Sequence, residues 1–556
     1  MKEKILKNRK LIDILIILFT ACIIGIPLLN TKLDVYYDDG IQHIARAMGT
    51  FESFGENKLF PNIIFSFANN YGYSWNLFYG PLSTYGIILI NLLLKNFVIS
   101  YKFFIFICLI LSGYTMYKFL SSIMQNNNVG VLASILYMTF PYHLTDMYTR
   151  NALGEFVSFI FIPFVFLGIY NLFFTSDKHF YLSLGAIGLV LTHNLSTIIV
   201  AIFAVLYVIC NTEKLKNSKT RNGLIFNIII IMLVTSFYWV PLLETKMTSN
   251  YQVYEPGMMS TSSQTSRHGL ALKQLFVTMN DGSYVFELGP HIIIMIGFSV
   301  MTVKRIRPEI KKQYIFFLLS GIFTLWMSTK YFPWKYLPNQ LSIIQFPWRM
   351  LMMSAFFLST VCSINMYVII KKFNFLDVVV ISVISIMYIF AFYNLVTFYN
   401  NEPTSNIEDF ELGYISGSEY EVVPGIAKAE YLPVNAYNNR FYIATRDSSI
   451  CVLEGKAIIE NENKKLSTYT ANIQTLDAEY TIFELPYIYY PGYEVKLDGI
   501  SVNTFETNSG FLGFAMGKED KVTLEVTYSG TILMKISLFI SIISTTFLCI
   551  YIYKKR

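Results

Sequence analysis

Charge is what this sequence has least of. Only 14% of its 556 residues are Asp, Glu, Lys or Arg, against 54% hydrophobic, and the mean hydropathy is +0.46. A soluble domain carries roughly 25% charged residues, so a water-soluble globule is excluded and most of the chain must face lipid or other helices. Cysteine is scarce too. Of Cys22, Cys108, Cys210, Cys362, Cys451 and Cys549, five lie inside or at the edge of apolar runs and Cys451 stands apart. With no CxxC pair, a disulfide framework is excluded. The chain also lacks a Walker loop, a G-x-G-x-x-G turn after a strand, an H-E-x-x-H helix and a G-x-S-x-G elbow, which removes the common nucleotide, zincin and esterase readings. The net charge of +6 is no nucleic-acid footprint. Its Lys and Arg residues sit in short clusters at the ends of apolar runs, the pattern that orients membrane spans.

What is present is a series of runs long enough to cross a bilayer: 11–30, 100–120, 129–145, 155–174, 181–192, 194–210, 224–243, 288–303, 313–329, 350–370, 375–397 and 532–553. The first follows Lys2, Lys4, Lys7, Arg9 and Lys10 without a cleavage site, and reads as an uncleaved signal anchor with a cytoplasmic N-terminus. Alternating from there places four basic clusters inside: Lys214 to Arg221, Lys304 to Lys312, Lys371–Lys372, and the tail Lys554, Lys555, Arg556. The 14-residue run 82–95 would break this agreement if it crossed, so it is expected to be re-entrant or interfacial. The run 181–210 is taken as two spans hinged near His193–Asn194.

This register predicts a polytopic α-helical membrane protein of about twelve spans with both termini cytoplasmic. A transmembrane domain over 1–397 carries outer loops 31–99, 244–287 and 330–349. A β-rich, sandwich-like domain occupies 398–531 outside, before the last span and basic tail at 532–556. In that outer region Arg440-Phe-Tyr-Ile-Ala-Thr, Ala457-Ile-Ile-Glu, Tyr480-Thr-Ile-Phe-Glu-Leu and Lys521-Val-Thr-Leu-Glu-Val-Thr-Tyr alternate apolar and polar. They lie between the turn dipeptides Pro491-Gly492, Asp498-Gly499 and Ser529-Gly530. Carbohydrate binding and a purely structural lid both fit such a domain.

Ionisable residues collect at the outward ends of the spans. In the first loop, Asp39, His43 and Arg46 fall at i, i+4 and i+7, one face of a helix starting near Asp39. Asp38 and Asp39 would cap that helix, but a cap needs neither His43 nor Arg46 beneath it. A carboxylate so placed suits a general base or an anion-and-metal site. Four further islands face the same side: Arg150-Asn-Ala-Leu-Gly-Glu155, His193-Asn194, Arg267-His268, and Gln345-Phe-Pro-Trp-Arg349. Ionisable groups near membrane depth are functional candidates by default, against pairing of Glu155 with Arg150 and interfacial anchoring by Trp348 and Arg349. Every inner loop is short, so no nucleotide-binding domain faces the cytoplasm and any donor reaches the outer face already activated, on a lipid.

A long first outer loop with an early acid, a second acid after the third span and a C-terminal outer domain resemble the GT-C glycosyltransferase superfamily. Six motif groups are similar to bacterial YfhO-type and 6-pyruvoyl-tetrahydropterin-synthase-related membrane proteins. They are Asp39-x-x-x-His43; Tyr71-Gly-Tyr with Phe78-Tyr-Gly-Pro-Leu82; Arg150-Asn-Ala-Leu-Gly-Glu155; Thr192-His193-Asn194; Gln345-Phe-Pro-Trp-Arg349; and Tyr490-Pro-Gly-Tyr-Glu-Val-x-Leu-Asp498-Gly499. The resemblance implies sugar transfer from a polyprenyl-phosphate donor to a cell-envelope glycan, lipid or protein outside a bacterial cell membrane. In such enzymes the first-loop acid is the base, or a divalent metal ligand in the oligosaccharyltransferase branch. Asp39 best matches that position, with Asp38 the alternative and His43 beside them. Arg349 and Arg150 would face the lipid phosphate, with Glu155 at the second acidic motif and His193, Asn194, Gln345, Arg267 and His268 completing the substrate site. The competing reading is a non-catalytic transporter or flippase of lipid-linked glycans.

Overall fold

The computed structural model describes residues 2–29, 39–56, 59–175, 180–255, 261–276, 286, 288, 290–369, 412–415, 425–426, 428–476, 480–519 and 521–555. Asp38, the expected span 375–397 and Lys371–Lys372 lie outside the described residues.

In hydrocarbon a backbone must satisfy its own polar groups, and a helix does so within one segment. Among the described residues, four helices are long and apolar enough to cross a bilayer: Phe97–Met124, Leu153–Thr175, Pro347–Ile369 and Ile532–Lys554. The pair Ser218–Val234 and Ser236–Thr248, bent by 67°, makes a fifth if it is one broken span. Leu82–Leu94, Asn127–Met138, Phe180–Val190 and Asn194–Ile209 are shorter apolar helices. The 13 residues of Leu82–Leu94 span about 20 Å, less than the roughly 30 Å of a hydrocarbon core. The architecture is that of a polytopic membrane protein in which several expected crossings are short or broken.

The last helix, Ile532–Lys555, exposes Phe539, Ile543, Phe547 and Ile550 and buries the serine stripe Ser537, Ser541 and Ser544. Apolar exposure on that scale is stable in lipid, not water. The serine stripe meets the 67° bend. Phe237 N–H donates to Ser541 Oγ at 3.0 Å, and Ser236 Oγ donates to the Ser537 carbonyl at 2.9 Å. Small hydroxyl residues thus let the two helices approach and pair backbone groups at the bend.

Polar contacts gather at two opposite ends of Phe97–Met124. At one end the Tyr117 hydroxyl and Asn127 Nδ2 donate to the fully buried Asp13, which also pairs with Arg9. Arg307 donates to the Met124 carbonyl nearby, and one helix on, Lys312 pairs with Glu213. At the other end the Tyr101 hydroxyl donates to Asn151. Tyr101 and Tyr117 are 16 positions apart on one helix, about 24 Å at 1.5 Å per residue.

Among the described residues the C-terminal region forms nine strands: β1 (Cys451–Glu454), β2 (Ala457–Lys464), β3 (Thr468–Thr475), β4 (Tyr480–Ile488), β5 (Tyr493–Leu497), β6 (Ile500–Val502), β7 (Thr504–Glu506), β8 (Phe511–Gly517) and β9 (Val522–Tyr528). They make two antiparallel sheets, ordered β1-β4-β8-β7 and β2-β3-β9-β5-β6. Phe483, Leu485 and Phe514 of one sheet and Ile473, Leu524 and Val526 of the other share one core, as the alternating pattern requires. Arg440–Thr445, expected as a strand, is a helix. Tyr442 and Arg446, four residues apart, both reach Glu484, with Tyr442 Oη donating at 2.9 Å and Arg446 pairing at 3.3 Å. Helical spacing puts such residues on one face, where strand spacing spreads them along an edge.

This core does not stop at residue 398. Ile63 to Phe78 of the connection after the first helix belong to it. Ile488 N–H donates to the Tyr71 carbonyl at 2.9 Å, and Gly425 N–H to Gln42 Oε1 at 2.5 Å. The first loop and the β-rich region are one packed layer over the helices.

Candidate functional site

The connection between Pro141–Tyr148 and Leu153–Ser158 builds the centre. Pro141 starts the helix Pro141–Tyr148, which sets Asp146 four residues before Arg150. Arg150 Nη1 lies 2.6 Å from Asp146 Oδ1 and 3.2 Å from Glu155 Oε2, and donates to the Tyr142 hydroxyl at 2.8 Å. Tyr142 in turn donates to Glu155 Oε1 at 2.7 Å. Arg349, at the start of the buried helix Met350–Ile369, brings its Nε to 3.6 Å from Glu155 Oε2. Its Nη1 donates to Gln345 Oε1 at 2.7 Å and to the Ile344 carbonyl at 3.1 Å. Gln345 is held at φ 62°, a left-handed conformation unfavourable for a non-glycine residue. Two guanidinium groups and two carboxylates therefore cancel in charge, as burial demands. Asp146 Oδ2 and Arg349 Nε keep no hydrogen-bond partner among the described residues.

The first loop supplies the second half. The helix Gly40–Glu52 begins after Asp39, whose side chain makes no capping hydrogen bond to it. Asp39 is exposed, while His43 and Arg46 are buried below it on the predicted face. Asp39 N–H donates to the Arg150 carbonyl at 3.3 Å, and the Asp39 charge acts on Arg150, Tyr79 and Glu430. Burial, then Arg46, holds the His43 imidazole down to about 3; it is neutral at pH 7 and acts as a hydrogen-bonding ring. Arg46 donates to Asn76 Oδ1 at 2.9 Å, the Tyr79 carbonyl at 2.8 Å and the Gly80 carbonyl at 3.2 Å, and lies over the Trp75 and Tyr79 rings. Among the described residues it forms no ion pair, so it adds an uncompensated positive charge beneath Asp39.

Tyr79 joins the halves. Its ring lies 5.5 Å from His43 and 5.8 Å from His193. A Cβ on Gly154, within the Arg150–Glu155 motif, would stand 2.1 Å from the Tyr79 hydroxyl, so glycine is required there. Asn194 fixes the Tyr79 backbone from the other side: its Nδ2 donates to the Phe78 carbonyl at 3.1 Å, and its Oδ1 accepts from Tyr238 at 2.8 Å. His193 caps Asn194–Ile209 through Ser196, and the charges of Arg349 and Arg150 reach it.

His268 packs edge-on against Phe346 at 5.1 Å and Trp348 at 5.9 Å, joining its own connection to the Arg349 segment. Arg267 is exposed and makes no hydrogen bond or ion pair among the described residues. Asp39, His43, Arg150, Glu155, His193, Asn194, Gln345, Arg349 and His268 thus meet at one end of the molecule, with Arg267 apart. Among the described residues no three His, Cys, Asp or Glu side chains cluster as a metal-ligand set.

Four contributors had no place among the sequence candidates. Asp146 was legible only as an acid at the i−4 position from Arg150. Tyr79 sits in the Phe78–Leu82 motif but carries no charge. Glu430 and Tyr431 lie in a stretch without periodicity, and only folding carries the Tyr431 ring to Phe78 and Trp75. Burial pushes the Glu430 carboxyl up to about 7.

A helical membrane body with a buried cluster of ionisable residues at one end, under a β-rich layer, defines a polytopic membrane protein with an end-on polar site. The chain belongs to the 6-pyruvoyl-tetrahydropterin synthase-related, YfhO-type family of membrane proteins, whose profile matches residues 77–396, more than half of its length. It is also similar to an uncharacterised protein of Lactococcus lactis subsp. cremoris (strain MG1363), 26% identical over 249 residues, which is 43% of this chain and 40% of that protein. The chain therefore matches well under two thirds of that relative. The family match takes in Tyr79, Arg150, Glu155, His193 and Arg349; Asp39, Glu430 and the strands lie outside it.

Proposed function

We propose that this protein is a glycosyltransferase of GT-C type, moving a sugar from a polyprenyl-phosphate-linked donor to a cell-envelope glycan, lipid or protein on the extracytoplasmic face. The observation that carries the reading is the position of Asp39: an exposed carboxylate not used as a helix cap, bonded through its backbone to Arg150 and set over a buried guanidinium. In the reaction, an acceptor oxygen bonds to the anomeric carbon as the carbon–oxygen bond to phosphate breaks. The acceptor proton passes to Asp39, and the phosphate leaves with the bonding electron pair. A hydroxyl needs such a base, whose contribution is about 10²–10⁴-fold. The phosphate needs cationic stabilisation alone, for which Arg349, whose Nε makes an ion pair with Glu155 but no hydrogen bond among the described residues, and Arg150 are the candidates. The doubled acid of the sequence leaves Asp38 as the alternative base.

The site-bearing end is taken as extracytoplasmic. In the supporting geometry, the basic connections at Glu213 and Arg307–Lys312 gather at the opposite end, with Arg9 and Asp13. Twelve crossings, cytoplasmic termini and an outward β-rich region belong to this proposal. A flippase of lipid-linked glycans is the second reading, and polar residues lining both halves of the helices would favour it. Envelope glycan analysis of a deletion strain tests the two. Loss of a sugar decoration is expected; lipid-linked precursor accumulating on the inner leaflet would point to flipping instead.

A further inference from the structure

Gly154 is where two uncharged polar side chains meet the buried ion-pair cluster. A Cβ there would stand 2.1 Å from the Tyr79 hydroxyl and 3.1 Å from Cδ2 of His193. Both side chains thus press on the backbone of the Arg150–Glu155 motif, with their ring centroids 5.8 Å apart. Glu155 comes next in the chain, and Arg349 Nε lies 3.6 Å from its Oε2. Asp39 meets the same motif at its other end. Its N–H donates to the Arg150 carbonyl, and a Cβ on the adjoining Gly40 would stand 3.1 Å from Cβ of Asn151.

Each of the two side chains is anchored everywhere but at one polar atom. The Tyr79 carbonyl accepts from Arg46, whose guanidinium lies over the Tyr79 ring, and His43 packs edge-on against that ring. His193 is held through Nδ1, which accepts from Ser196 N–H at 3.4 Å. Burial, then Arg349, keeps this imidazole neutral, and an accepting Nδ1 leaves its one proton on Nε2. Burial, then the Asp39 charge, keeps the Tyr79 phenol protonated. Tyr79 Oη–H and His193 Nε2–H are therefore two neutral donors, and neither makes a hydrogen bond among the described residues. Neither is a sealed atom, and Tyr79, His193 and Arg349 are all half-buried.

We propose that the Tyr79 hydroxyl, with His193 Nε2–H as the second donor, binds the phosphate of the lipid donor beside Arg349, both donors being seated by Gly154. The inference rests on the transferase reading above and gives that reaction a phosphate contact without charge. A phosphate monoester offers three strong acceptor oxygens, more than the guanidinium groups already engaged by Glu155 and Asp146 can fill. Donors set in place beforehand stabilise charge developing on the leaving oxygen with little reorganisation. Both donors keep their protons throughout.

Calorimetric titration of the full-length protein in nanodiscs tests the contact, with farnesyl phosphate, farnesol and inorganic phosphate as probes and empty nanodiscs as the blank. Farnesyl phosphate is expected to bind more tightly than either of the other two. Tyr79→Phe keeps the ring on His43 and is expected to hold its Tm, to weaken farnesyl phosphate about tenfold or more, and to leave farnesol unchanged. Gly154→Ala displaces the hydroxyl and is expected to show the same selective loss. No binding of farnesyl phosphate to the wild type, or equal affinity in Tyr79→Phe, overturns the proposal. Inorganic phosphate binding as tightly as farnesyl phosphate overturns the lipid assignment. Turnover on the same preparations separates the two ideas. Phosphate binding that depends on Tyr79 without any sugar transfer retires the transferase reading and keeps the contact. Transfer with unchanged kcat and donor KM in Tyr79→Phe retires Tyr79 and keeps the transferase.

Discussion

The backbone N–H of Asp39 donates to the carbonyl oxygen of Arg150 at 3.3 Å, joining two connections 111 positions apart. The bond ties the exposed Asp39 to the buried Arg150 cluster through the backbone. Asp39→Asn is therefore expected to lower transfer by about 10²–10⁴-fold, with expression and membrane insertion unchanged. Turnover of the purified variant with a lipid-linked sugar measures this. Wild-type turnover would move the base to Asp38, and silence of Asp38→Asn as well would leave this loop with no catalytic acid.

Arg150 and Arg349 are expected to differ. Arg150 is the shared cation of Asp146 and Glu155, all three buried. Arg150→Ala leaves two carboxylates in a low-dielectric site and is expected to cost about 3–5 kcal/mol, seen as a lowered Tm. Arg349→Ala keeps that cation in place, so its main expected effect is a raised KM for the lipid donor with a near-normal Tm. Equal Tm losses in both variants would mean that Arg349 is structural.

Two buried titrating groups give stability slopes of opposite sign. Burial raises Glu430 to about 7 from roughly 4.3 in an unfolded chain. Its contribution is complete below about pH 4.3 and is lost as pH rises through 7. Burial, with Arg446 adding repulsion, lowers Lys464 to about 7. Its contribution is present above roughly pH 10.4 and is lost as pH falls through 7. Between pH 5 and 7.5, Glu430→Gln is expected to remove a downward component of Tm, measured by thermal unfolding in detergent. Between pH 7 and 10, Lys464→Met is expected to remove an upward one. Parallel Tm–pH curves for wild type and variants would contradict both.

Topology has its own test. Cysteine labelling with an impermeant reagent is expected to miss a residue placed next to Lys216 and to modify one placed at exposed Leu453. Labelling near Lys216 from outside would invert the register and put the Asp39 site in the cytoplasm.

By itself the sequence determined the membrane class, because a charge content this low fits no soluble core. It determined the β-rich nature of the C-terminal region through period-two alternation, and the Asp39–His43–Arg46 face through helical spacing, since these are local properties of consecutive residues. It misread Arg440–Thr445, where alternation over six residues fits either element and the long-range partner Glu484 selected the helix. Only tertiary structure decided that Asp146 completes the Arg150 cluster, that Tyr79 seats against Gly154, and that Gly425 N–H reaches Gln42. These are contacts between segments up to 383 residues apart in sequence. Their energy lies in burial, charge pairing and ring packing across elements, none of which leaves a periodic trace along the chain.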